Sequence, residues 1–154
     1  MVLGPKLRGN MTLEEIQSEW EKDCRIDRTE LGEESIKIPA LHSKYYRMFS
    51  RERLQLARLL EAMKLLKKDK HEYYSGNMDK DELAQHGWEP FQLRVLKTDL
   101  PLHIDSDKDI VDSTLKIAYC KEKVDFLEAI IRTLNLRSYQ INNAINWEKF
   151  KVGS

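Results

Sequence analysis

The sequence predicts an all-α protein, a helical protomer with a long central helix and C-terminal helices that form an oligomerisation bundle. Apolar residues recur at three- and four-residue spacing through residues 54–76 and again through 110–134, the period of a helix with one buried face. Charged residues make up 34% of the chain and aromatics 8%, which suits solvated helices. A length of 154 residues allows one compact domain with a real core, without help from a disulfide or a metal.

Residues 1–10 hold Gly4, Pro5 and Gly9 without periodicity and read as a flexible tail or a non-native extension, Met11 being the apparent native start. Thr12 and Glu15 then form a T-x-x-E capping box ahead of Leu13, Ile16 and Trp20, predicting a helix to about Cys24. A second helix is expected over 29–49, kinked or restarted by Pro39. Ser50 is expected to cap the next one, which Gly76 and Asn77 end. Along that central helix Leu56, Leu59, Leu60, Met63 and Leu66 share a stripe. Lysines then replace leucines in it, and Tyr73 and Tyr74 follow. Such a stripe is expected to leave the core and become a binding surface.

Residues 77–109 contain Gly87, Pro90 and Pro101 among scattered acids and read as irregular, a long loop or a short extension around Leu93 to Leu96. In the last third, Ile117, Cys120, Val124, Leu127, Ile131 and Leu134 step by three and four as an a/d seam that Ile110 continues upstream. A final short helix over 138–150 presents Ile141, Ile145, Trp147 and Phe150. So large an apolar set at a chain end needs a dock, which another subunit can supply. Residues 11–109 thus read as a helical region that carries the candidate binding surface. Residues 110–154 read as oligomerisation helices, with Val124, Leu127, Ile131, Leu134, Ile141, Ile145, Trp147 and Phe150 as the contact set.

The net charge of zero conceals a block pattern. Residues 44–70 hold nine basic side chains against three acidic, whereas 71–112 hold ten acidic against four basic. A local anion-binding patch is the expected result, or self-association between unlike blocks. Lysines neutralise phosphates and tyrosine rings stack on bases, so Lys64, Lys67, Lys68, Lys70 and His71 with Tyr73 and Tyr74 make a candidate platform for single-stranded nucleic acid. A solvated lysine face with tyrosines closing the core explains the same residues.

Other chemistries find no support. Asp105, Asp107 and Asp109 begin like a calcium loop, but Ile110 and Lys116 stand where glycine and a bidentate glutamate are needed. Those acids suit the N-terminus of a helix instead. His42, His71, His86 and His103 lack metal-ligand spacing, and no phosphate loop or nucleophile motif is present. Neither a metal nor a cofactor is expected, and the enzyme class is the least favoured. Cys24 and Cys120, isolated and without a signal peptide, read as reduced cytoplasmic thiols. No apolar run nears the ~18 residues of a membrane span.

The segment Lys68-Asp69-Lys70-His71-Glu72-Tyr73-Tyr74-Ser75-Gly76, with MTLEEIQSEWEKD and Ile26-Asp27 upstream, resembles the UvsY recombination mediators of T-even-like bacteriophages. The family pattern has arginine at the place of Lys70, and this chain is longer around residues 96–105. The resemblance implies a mainly helical, non-enzymatic protein acting in the cytoplasm of the infected bacterial host. It would bind single-stranded DNA as a homo-oligomeric ring of about six or seven subunits. Such a ring would help a RecA-type recombinase onto DNA covered by a single-strand DNA-binding protein. Lys68 and Lys70 would then touch DNA, with Tyr73 and Tyr74 beside them. The rival reading is a helical scaffold or adaptor whose basic block meets an acidic protein.

Overall fold

A computed structural model describes residues 10–153, so the tail expected over 1–10 lies almost wholly outside the described residues. Among these are five helices and no strand: α1 (Leu13–Asp23), α2 (Leu31–Tyr74), α3 (Lys80–His86), α4 (Leu100–Asp105) and α5 (Lys108–Val152). The Thr12–Glu15 capping box forms as predicted, each side chain bonding the other's backbone N–H.

Two expected breaks are absent. Pro39 lies inside α2, which runs unbroken for 44 residues, and Ser50 caps nothing. Proline removes one helical hydrogen bond, but Pro39 and Ser35, whose carbonyl loses that bond, are both exposed and the carbonyl can be solvated. Buried Glu34 and Tyr45 anchor the helix on either side of the gap. Likewise α5 continues for 45 residues through Asn135 and Ser138. Neither is a glycine or proline, and Leu134, Arg137 and Ile141 are buried at successive helical turns across the supposed break.

The chain divides into two compact units. One takes the chain through Leu54 and again from Cys120; the other is Gln55–Tyr119. Both boundaries fall inside α2 and α5. In the first unit Ile16, Tyr45, Leu127, Ile130 and Leu134 form the core, with Trp20, Leu41, Met48 and Phe126 against it. The Trp20 and Tyr45 rings meet edge-on at 5.3 Å. Tyr45 donates its hydroxyl to Asp23 at 2.7 Å, and Lys44 bridges Glu19 at 2.8 Å and Asp23 at 2.6 Å. Burial opposes ionisation of Asp23, but the bonds from Lys44 and Tyr45 outweigh it and hold the carboxyl below its ordinary range.

This core revises the expected oligomerisation face. Val124, Leu127, Leu134 and Ile141 are buried within the protomer, and Ile131 and Ile145 are half-buried. The a/d seam closes on its own chain, because α1 and α2 supply the apolar partners that a second subunit was expected to bring. Trp147 and Phe150 remain outside, 58% and 71% exposed, their rings stacked at 5.5 Å.

Buried charge holds the first unit together. The Arg137 guanidinium donates at 2.8 Å to the carbonyl of Asp23, an acceptor left over at the end of α1, and at 3.1 Å to that of Arg25 just beyond the helix. It also pairs with buried Glu34 at 3.2 Å. Lys123 pairs with buried Glu52 at 2.9 Å and donates to the Met11 carbonyl at 3.2 Å. Cys24 and Cys120 are both free thiols, and burial pushes that of Cys120 up.

The second unit contains the irregular segment, which includes two short helices. Asp79 and Glu82 form a second capping box at the head of α3, and Gly87 ends that helix in the left-handed region at φ 68°. Residues 87–99 form no regular element, and Leu93 and Leu96 are each 70% exposed.

Candidate nucleic-acid interface

The last turns of α2 carry the predicted platform, and the structure sorts its seven residues into two groups. Lys70 is only 4% exposed. Its ammonium lies 3.1 Å from Asp107 and 2.9 Å from Asp109, and 3.8 Å from the centre of the Trp88 ring. Tyr73 donates to the Glu89 carbonyl and Tyr74 to Asp107 Oδ2, each at 2.6 Å. The two tyrosine rings meet at 5.0 Å; Trp88 packs on Tyr73 at 5.3 Å and Phe91 on Tyr74 at 4.9 Å.

Lys70, Tyr73 and Tyr74 are therefore not the open surface that the stripe predicted. The chain after α2 turns back, and Trp88, Glu89, Phe91 and Asp107 cover them. A helical projection of α2 alone contains no trace of this.

Asp107 is the hub of the knot. Its Oδ1 accepts from the backbone N–H groups of Asp109 at 2.9 Å and Ile110 at 3.3 Å, capping α5, while Oδ2 takes Tyr74 and Lys70. Burial disfavours its charge, yet the bonds from Tyr74 and Lys70 prevail and keep it below the ordinary carboxylate value. The Tyr74 hydroxyl is pushed up, by burial first and by Asp107 second. The acids of this stretch thus serve a helix terminus, as the sequence suggested, and in addition neutralise a lysine from another helix.

Lys64, Lys67, Lys68 and His71 stay exposed on the same turns. Lys64 meets Glu61 at 2.8 Å, with both side chains at least 70% exposed, and such surface pairs add little. His71 approaches Glu72 at 3.8 Å. Lys67 and Lys68 have no counter-ion among the described residues. What the site can do is present cations to water from a helix whose end is pinned by the Lys70 knot. Among the described residues no three metal-ligating side chains cluster, and no helix is long and apolar enough to cross a membrane. Sequence reasoning passed over Arg47, Arg51 and Arg58, which share the basic block and are exposed or half-buried. The four-residue step from Arg47 to Arg51, one helical turn, was the available signal.

Residues 19–154 match the sequence model of the family described as "Recombination, repair and ssDNA binding protein UvsY". The recombination protein uvsY of Enterobacteria phage T4 is 27% identical over 143 residues, covering 93% of this chain and 99% of that protein. A crystal structure of the bacteriophage T4 recombination mediator protein UvsY superposes with a TM-score of 0.80 at 27% identity, over 93% of this chain and 99% of the other. A second crystal lattice of that protein gives 0.79 at 26% identity, over 91% and 99%. With nearly its whole length matched in sequence and in helical architecture, the chain belongs to the UvsY family of recombination, repair and single-stranded-DNA-binding proteins.

Proposed function

We propose that this chain is a recombination mediator that binds single-stranded DNA through Lys64, Lys67, Lys68 and His71 of α2. The observation that carries the reading is the pair Lys67 and Lys68, exposed and without a counter-ion among the described residues, in a chain of this family. Unpaired surface cations neutralise phosphates and release condensed counterions, which gives affinity without reading sequence. Lys70 acts one step removed, fixing the end of α2 so that its neighbours face outward. The protein itself is not an enzyme and uses no cofactor.

A ring of about six or seven copies would repeat the patch, so that one strand engages many weak sites and avidity replaces single-site strength. Of the expected contact set, Trp147 and Phe150 at the end of α5 are the two that stay exposed, and they would meet a neighbouring copy. Trp147→Asp with Phe150→Asp should lower the mass seen by light scattering toward that of the protomer. An unchanged mass would put the contact elsewhere.

Strand wrapping would loosen a single-strand binding protein and present DNA to a RecA-type recombinase, which alone hydrolyses ATP, in the cytoplasm of the infected host. The test is the recombinase's ATPase activity on DNA already coated by the binding protein. Adding this chain should shorten the lag before steady hydrolysis. An unaltered lag at saturating protein contradicts the mediator role.

A further inference from the structure

The chemistry expected at Tyr73 and Tyr74, cations beside an open aromatic ring, occurs in the structure at a different place on α2. Tyr46 is 48% exposed and stacks on His42 at 5.9 Å with the rings 13° from parallel. Arg53, two turns on and on the same helical face, lies 5.3 Å over the Phe49 ring. About 100 to 140° round the helix from Tyr46, Arg47 and Arg51 stand one turn apart and, with Met11, Ala40, Ser43, Lys44 and Met48, line a groove of the first unit. The small side chains of Ala40 and Ser43 leave the arginines room to reach a ligand lying in it.

Neither Arg47 nor Arg51 has an ion pair among the described residues, although Arg51 is half-buried. The nearby carboxylates are already committed. Glu19 and Asp23 hold Lys44, and Glu52 holds Lys123. Two guanidinium groups with no counter-ion among the described residues are free to take an external anion, and arginine's planar fork suits phosphate.

We propose that this stretch of α2 is a second single-stranded DNA contact, in which Arg47 and Arg51 hold phosphates and a base stacks on Tyr46. Guanidinium groups on phosphates and an exposed ring under a base, reached by one strand crossing the helix, hold single strands without regard to sequence. The inference rests on the reading that the chain binds single-stranded DNA, and it adds a site distinct from Lys67 and Lys68.

The test measures binding of the full-length protein to labelled oligothymidine, and to an abasic strand of equal length, across a salt series. Arg47→Ala with Arg51→Ala should weaken binding to both strands. It should also flatten the salt slope by about 1.4 per protomer engaged, at about 0.7 per phosphate released. Tyr46→Ala should weaken oligothymidine binding about fivefold or more, leaving the slope and the abasic strand unaffected. Unchanged far-UV circular dichroism would show both variants folded. If the double arginine variant binds like wild type while Lys67→Ala with Lys68→Ala is weakened, this second contact is refuted and the first stands. If, in addition, the arginine variant loses retention on immobilised polyglutamate, the groove belongs to an acidic protein. Wild-type protein that shows no salt-dependent binding would defeat both sites together.

Discussion

Lys70→Ala should destabilise the protein by about 3 to 5 kcal/mol, the usual cost of removing one partner from a buried ion pair. Lys68→Ala, two residues away and exposed, should change stability by no more than about 0.5 kcal/mol. The contrast follows from what each ammonium leaves behind. Without Lys70, Asp107 loses its cation while its side chain stays 8% exposed, and Trp88 loses the charge over its ring. Lys70→Arg keeps a cation there and should recover most of the loss. Urea denaturation at one protein concentration measures all three variants.

Acidification should mimic part of the lysine deletion. The folded value of Asp107 is lowered from its ordinary 3.8, so its charged form contributes stability above that pH. The contribution fades as pH falls through the lower folded value. Wild type should therefore lose its advantage over Lys70→Ala in strong acid and keep it near neutrality. Folded Lys70→Ala at low temperature should also retain the wild-type salt slope for DNA, because Lys70 faces Asp107 and not a phosphate. Equal stability of Lys70→Ala and wild type would show that the knot contributes nothing.

Arg137→Ala should cost a similar 3 to 5 kcal/mol in the first unit. Its guanidinium satisfies the Asp23 and Arg25 carbonyls and the Glu34 carboxylate, all three from one planar group. Removing it strands Glu34, whose other partner is the exposed Lys37 at 3.1 Å. Arg137→Lys should restore less than half, since a compact ammonium cannot span acceptors set that far apart. Full recovery by lysine would mean that charge alone matters, and that bonding of the α1 end is incidental. Thermal and urea unfolding of both variants distinguish these results.

Elements governed by neighbouring residues were legible in the sequence. The Thr12 and Glu15 pair marked the start of α1, and the seam from Ile110 to Leu134 marked α5 and its buried face. Asp79 and Glu82 carried the same capping signal for α3, masked by the glycines and prolines around it. Pro39 and Asn135 misled because local propensity says nothing of the packing that carries a helix through a weak position.

The candidate site was legible only in part, for a related reason. Lys67 and Lys68 are exposed because nothing folds over them, whereas Lys70 is buried by Trp88 and Asp107, 18 and 37 positions further on. Residue types on α2 are nearly identical in the two cases. Only the return of the chain separates an open cation from a structural one, and that return depends on long-range pairing. For the same reason the repeat in α5 does not tell a seam closed by a second subunit from one that α1 and α2 of the same chain fill, as they do here.

Lys67→Ala with Lys68→Ala, titrated against labelled oligothymidine from low to physiological salt, tests most directly whether these lysines hold the strand. The variant should keep wild-type helix content and bind more weakly. Its plot of log affinity against log salt should be shallower by about 1.4 for each protomer engaged. Affinity and slope equal to those of wild type would mean that Lys67 and Lys68 touch no phosphate.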